Sequence, residues 1–252
     1  WKRFVPLALL ACLPLFNIVQ HYPDAMAGRQ TEVRSQAQAI LELPLPEGAV
    51  IAGEGEITPI RYLQRVDGVR PDLWVIHSNE PGIRDALLPR ALADDIPLYA
   101  LRGTEAGLRL LPLMPDDSTA IANPTDMGLG QIVRWRGYDL PDMPVDPGTA
   151  LPITLYWQVD APIDRDWKIF VHLLDEAGAG FAQLDQVPLE QFYPPTAWHP
   201  GHLVVDQYEL PLPSDLRPGR YQLVFGWYSG PDRLVWEDGR DTQLLGHIDV
   251  AP

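Results

Sequence analysis

Hydrophobic positions change their spacing twice along this chain. From Phe4 to Val19 they run almost without a break, interrupted only by Pro6, Pro14 and Asn17. Val33, Ala37, Ile40 and Leu41 then recur at helical spacing, and Pro44 closes that segment. Short apolar runs follow at 49–53, 73–78 and 97–102, separated by helix-like stretches at 59–68 and 81–95, the second broken near Pro89. Alternating strands and helices of these lengths predict a small α/β layer with a parallel sheet over residues 24–115.

Near residue 116 the pattern changes again. PDDSTAIANPTDMGLGQ is rich in turn formers and reads as a linker over 116–130. Beyond it about eight short apolar stretches recur with turns and no helix between them, which predicts an all-β immunoglobulin-like or jelly-roll sandwich over 131–252. The alternation is clearest in Leu151, Ile153, Leu155 and Trp157, and again in Tyr221, Leu223, Phe225 and Trp227. LRPGRY (216–221) delivers Tyr221 into a strand as a tyrosine corner does.

The first apolar run has several readings. Lys2 and Arg3 precede it and no basic residue follows soon, which predicts a transmembrane helix over 1–23 with the remaining chain extracytoplasmic at the cell membrane. A cleaved signal ending near Ala25-Met26-Ala27, a lipoprotein signal at Cys12 and a buried helix are the alternatives. Cys12 has no second cysteine with which to pair, so cysteine usage does not decide the compartment.

Composition narrows the function classes. The chain has 252 residues, enough for two modest domains, and a formal charge of -15 with no basic stripe, which argues against a nucleic-acid partner. Its 27 prolines favour short strands and rigid turns.

Few residues assemble into a catalytic pattern. Gly53-Glu54-Gly55-Glu56-Ile57-Thr58 lacks the third glycine of a dinucleotide loop and the Gly-Lys-Ser/Thr of a phosphate loop. It reads instead as a strand-to-helix turn in which Thr58 caps the helix and Pro59 occupies its first turn. Glu54 and Glu56 stand without a third catalytic group nearby. His199-Pro200-Gly201-His202 is a turn and not a metal-binding helical face, so neither a metal nor a cofactor is expected.

Aromatic residues offer more. Trp157 and Trp227 fit the inward alternation and belong to a core, whereas Trp198, in PPTAWHPGH, is expected on the surface. Trp198 and Tyr228, with Asp185 and Asp206 to accept hydrogen bonds from hydroxyls, form the candidate glycan-binding set.

Two passages carry a family resemblance. LPEGAVIAGEGEITPIRYLQRVDGVRPDLWVI (45–76) resembles the segment after the last transmembrane helix in bacterial protein-O-mannosyltransferase-like (GT-C type) membrane glycosyltransferases. LYWQ, FVHLLDEAG, QLDQVP, PTAWHPGHLVVDQYELPLP and PGRYQLVFGWY are similar to a β-sandwich module appended to such enzymes. The resemblance implies the noncatalytic extracytoplasmic C-terminal part of an enzyme that uses a polyprenyl-phosphate sugar. Its partners would be the lipid bilayer, an upstream transmembrane domain and cell-envelope glycan. Glu54, Glu56, Arg70 and Asp72 would then contact the donor or the membrane domain, although Glu54 and Glu56 stand where that class usually carries aspartates. No catalytic residue transfers to this chain. The competing expectation is a stand-alone, membrane-anchored carbohydrate- or protein-binding module.

Overall fold

A computed structural model describes residues 32–55, 57–77, 90–91, 94, 96–104, 107–113, 120–189 and 193–251. Helix α1 (Glu32–Leu41) and helix α2 (Ile57–Asp67) lie on one face of a four-stranded sheet. That sheet has the order β2 (Trp74–His77), β1 (Val50–Gly53), β3 (Leu98–Thr104) and β4 (Gly107–Pro112). Strands β1, β2 and β3 are parallel, and β4 returns antiparallel on β3.

Both faces of this small sheet are covered. Ile51, Val75 and Leu101 meet Ala37, Ile40, Leu41, Ile57, Ile60 and Leu63 of the helices. Val50, Ala52, Ile76, Leu98, Ala100 and Leu111 alternate to the other face and join the hydrophobic core of the sandwich. The helix begins two residues earlier than the sequence suggests, at Ile57, so Thr58 lies inside α2 and is not its cap. Gly53 is required here, because a Cβ on it would sit 2.4 Å from Ile57 Cγ2. Gly68, at φ +68, ends α2 in the left-handed conformation that glycine adopts without strain.

The second layer is an antiparallel sandwich. One sheet runs β10 (Leu203–Pro211), β7 (Ala150–Val159), β6 (Val133–Asp139) and β5 (Asn123–Leu129). The other runs β12 (Asp232–Arg233), β11 (Gly219–Ser229), β8 (Lys168–Leu174) and β9 (Gly180–Gln186), with β13 (Gln243–Val250) also paired to β11. Leu151, Ile153, Leu155 and Trp157 point inward from β7, and Tyr221, Leu223, Phe225 and Trp227 from β11, as the alternation requires. The Tyr221 hydroxyl donates to the Arg217 carbonyl at 3.0 Å, the tyrosine-corner bond.

An aromatic cluster fills the space between the sheets. Trp157 meets Trp227 edge-on with ring centroids 4.9 Å apart, and Trp135 meets Phe225 at 4.8 Å. Trp236 joins Trp135 and Phe225 at 6.0 and 5.1 Å, and Trp198 approaches Trp227 at 5.7 Å. Beside β5, Leu129 bridges to Trp236, the Gly130 N–H donates to the Val235 carbonyl at 2.9 Å, and the Glu237 N–H donates to the Gly128 carbonyl at 3.0 Å. These bonds tie that edge to the opposite sheet.

The expected architecture needs two corrections. The small sheet is mixed, not parallel, because Gly107–Pro112 folds back on β3 as a hairpin partner. The expected transmembrane helix is not part of the observed fold. The described chain is predominantly β-sheet with two α-helices, and among the described residues no helix is long and apolar enough to cross a membrane. The expectation for 1–23 falls on residues outside the described ones, as does nearly all of the helix expected at 81–95. Within the stretch read as a linker, Asn123–Leu129 forms an edge strand whose mostly polar, partly exposed side chains gave no apolar alternation.

Candidate binding surfaces

The sequence-predicted glycan residues divide between two places. Tyr228 of β11 and Asp185 of β9 lie on the outer face of the larger sandwich sheet. Strand β8 runs between them and places Phe170 opposite both Asp185 and Gly226. The Phe170 ring lies 6.2 Å from Tyr228 and 5.0 Å from His172. Arg233 stacks its guanidinium 4.8 Å over Phe170 and is anchored by Asp241 at 3.7 Å. Burial and then the facing Asp185 carboxylate push the Tyr228 phenol above its ordinary pKa. A Cβ on Gly226 would meet the Asp241 carbonyl at 2.5 Å and the Phe170 ring at 2.8 Å, so glycine alone lets these groups close together. Phe170 is only 3% exposed beneath the Arg233 guanidinium, so the accessible rings here are the partly exposed His172 and Tyr228, bordered by Asp185, Gln183 and Arg233.

Trp198 and Asp206 are elsewhere. Trp198, expected exposed, is 3% exposed, because the single turn Pro195–Ala197 swings it inward. Its Nε1–H donates to the Tyr193 carbonyl at 2.7 Å. Asp206 is fully buried in β10, in phase with Val204, Tyr208 and Leu210. Burial raises its carboxyl to about 8, against the opposing pull of Arg102 and of the Leu189 and Gln207 amides. The Tyr208 hydroxyl donates to Asp206 Oδ2. Neither Trp198 nor Asp206 reaches that outer face.

The residues expected to touch a donor or membrane domain serve internal contacts in this fold. Arg70, at φ +46, grips the Asp72 carboxylate through Nε at 2.9 Å and Nη2 at 2.8 Å. Its Nη2 also donates to the Leu45 carbonyl at 2.9 Å, which ties the segment after α1 to the loop before β2. The Arg70 guanidinium in turn holds the Asp72 carboxyl below the usual carboxylate range. Glu54 is half-buried at the β1–α2 turn, where its carbonyl accepts the Ile57 N–H at 3.2 Å, and Glu56 lies outside the described residues.

A second concavity lies between the two layers. The β3–β4 hairpin supplies Arg102 and Arg109 on one side; β7 and β10 supply Thr154, Gln207 and Glu209 on the other. Gln186 of β9 contributes to the lining, and the cavity measures about 250 Å³. Sequence reasoning missed this cleft altogether, because its walls come from segments as far apart as Arg102 and Glu209. The phase of Asp206 was a usable signal, since a carboxylate aligned with Val204, Tyr208 and Leu210 has to be buried.

No protein-family model matches the chain, and no curated protein does. Among solved structures, the C-terminal domain of wzt matches with a TM-score of 0.38 and 13% identity, covering 53% of this chain and 83% of that one. A β-glucuronidase from glycoside hydrolase family 2 matches with a TM-score of 0.28 and 10% identity, covering 45% of this chain and 10% of that one. At these values neither likeness bears on what this chain binds. Neither is named as a membrane glycosyltransferase, so the family that the sequence resembles finds no support in them.

Proposed function

We propose that the sandwich is a noncatalytic saccharide-binding module whose contact surface is the outer face of the five-stranded sheet. The observation that carries this reading is the meeting of the partly exposed Tyr228 and Asp185 over the buried Phe170 ring, with His172 on the other side of that ring. Aromatic faces present an apolar surface to the C–H groups of a pyranose, while a carboxylate, an amide and a guanidinium at the border suit its hydroxyls.

The finer reading, that this module serves a polyprenyl-phosphate-sugar-dependent membrane glycosyltransferase, rests on the resemblance of passages within residues 45–76 and 155–228 alone. The full reading frame tests that part: a catalytic glycosyltransferase domain encoded upstream supports it, and its absence leaves a self-contained binding module.

The binding claim is tested on the whole chain with a glycan array and then by calorimetry. Binding of at least one envelope-type oligosaccharide is expected, weakened about tenfold or more in Tyr228→Ala and Asp185→Ala. Absence of glycan binding, or affinities unchanged in both variants, overturns it. Trp198→Ala is a poor probe because it damages the core.

A further inference from the structure

The outer face of the five-stranded sheet continues well beyond Tyr228. Tyr221, Leu223, Phe225 and Trp227 take the inward phase of β11, so Arg220, Gln222, Val224, Gly226 and Tyr228 all lie on the outer face. Pairing extends that face sideways. Gln183 and His172 stand in one row with Val224 and the exposed Leu244, and Gln222 is flanked by Leu174 and His247. Arg220 stands opposite Asp249 at the far end.

A further concavity of about 250 Å³ opens at that end, lined by Glu176, Arg220, Tyr221, Gln222 and His247. Gln222 helps to build it. Its Nε2 donates to the Asp175 carbonyl at 3.3 Å, which holds the β8–β9 turn beside the strand and brings Glu176 into the lining. The Asp175 carboxylate folds the same turn by accepting the Ala177 and Ala179 N–H groups at 2.9 and 2.8 Å. The exposed Phe181 ring meets Tyr221 edge-on, with centroids 5.4 Å apart.

The two ends of the face therefore repeat one chemistry. Each combines an accessible ring (Tyr228, Phe181), a carboxylate (Asp185, Glu176), a guanidinium (Arg233, Arg220) and an imidazole (His172, His247). Both signs of charge are present at each end. Arg233 and Lys168 stand with Asp241 and Asp185 at one, and Arg220 with Asp249 and Glu176 at the other. Neither end thus selects an ion, and both offer donors and acceptors to hydroxyls. Tyr228 and Gln222 lie six residues apart on β11, roughly 20 Å of strand, which is beyond the reach of one sugar ring.

We propose that the ligand of this face is a linear oligosaccharide lying along β11, with one end at Tyr228 and Asp185 and the other in the concavity of Glu176, Arg220, Gln222 and His247. The units between them cross His172, Val224 and Leu244. This inference rests on the saccharide reading above and adds to it the length of the ligand and a second contact region.

Calorimetry on the whole chain compares two-unit and six-unit oligomers of linear glucan, mannan and N-acetylglucosamine polymers, and of the glycan with the strongest array signal. For the glycan that binds, the six-unit oligomer is expected to bind about tenfold or more tightly than the two-unit one. His247→Ala and Arg220→Ala, both at exposed positions, are each expected to shrink that advantage severalfold while thermal unfolding stays unchanged. Tyr228→Ala is expected to shrink it as well, since one ligand touches both ends. Equal affinity for the two lengths, or a length advantage that survives both His247→Ala and Arg220→Ala, overturns this proposal and leaves the saccharide reading standing. Binding of none of these oligomers overturns both together.

Discussion

The helix-covered side of the small sheet is packed with Ala, Ile, Leu and Val, whereas the interior of the sandwich is dominated by Trp135, Trp157, Trp198, Trp227, Trp236 and Phe225. The contrast follows from geometry. Helices settle on a twisted sheet through branched aliphatic side chains that fill narrow grooves. Two facing sheets leave a slab about 10 Å thick, which large rings span from both sides. Some of those rings also carry polar tips. Trp135 Nε1–H donates to the Gly137 carbonyl at 2.9 Å and Trp198 to Tyr193, whereas Trp157, Trp227 and Trp236 lack a hydrogen-bond acceptor among the described residues and contribute through ring contacts. Aliphatic packing makes the small layer tolerant of conservative exchange; aromatic packing makes the sandwich intolerant of truncation.

The largest test of this contrast is Trp157→Ala. Removing a fully buried ring from the centre of the cluster is expected to cost about 3–5 kcal/mol, read by chemical denaturation followed by tryptophan fluorescence. Leu98→Ala comes next. Leu98 lies in the core shared by both layers, so a loss of about 2–4 kcal/mol is expected within one cooperative transition. Two separated transitions in calorimetry would instead show that the layers unfold independently.

The third test is a pH profile. The folded protein holds the Asp206 proton more tightly than the unfolded chain, with a pKa of about 8 against 3.8. Its contribution to stability is therefore complete below about pH 4 and declines as pH rises toward 8, by a few kcal/mol in all. Asp206→Asn is expected to flatten the denaturation midpoint over that window, and an unchanged slope would show that Asp206 titrates normally. Tyr221→Phe, which deletes the tyrosine-corner bond, is expected to cost about 1 kcal/mol in the same denaturation assay. Arg134→Ala is the smallest change. Its partners Asp126, Asp160 and Glu237 are all substantially exposed, and the melting temperature should move by no more than about a degree.

Much of the sandwich was legible because its inward residues alternate without exception in β7 and β11 and because Tyr221 follows a Pro-Gly turn. Trp157 and Trp227 were placed correctly in the core by that alternation alone. Strands β4 and β5 were not legible. LRLLP is a short apolar run without period-two alternation, so the glycines before it were not read as a hairpin turn, and NPTDMGL has the composition of a loop, since an edge strand interrupted by a bulge near Pro124 keeps much of its surface in solvent. Trp198 was misplaced for a different reason. Proline-rich flanks mark a turn but do not say towards which side the turn directs its next ring. Of the glycan set, only Tyr228 and Asp185 come together; Phe170, His172 and Arg233 join them through register, which a single sequence does not display.

One modest contact has a further consequence. The Val205 N–H of β10, an outermost strand of its sheet, donates to the Leu113 carbonyl at 3.3 Å, immediately after the β3–β4 hairpin. The small layer thus stands as a stopper against the segment LVVDQYELP, whose unsheathed backbone is a template for chain-to-chain stacking. A protein beginning at residue 120, which keeps β5 but lacks the small layer, would present β10 to its neighbours and is expected to self-associate.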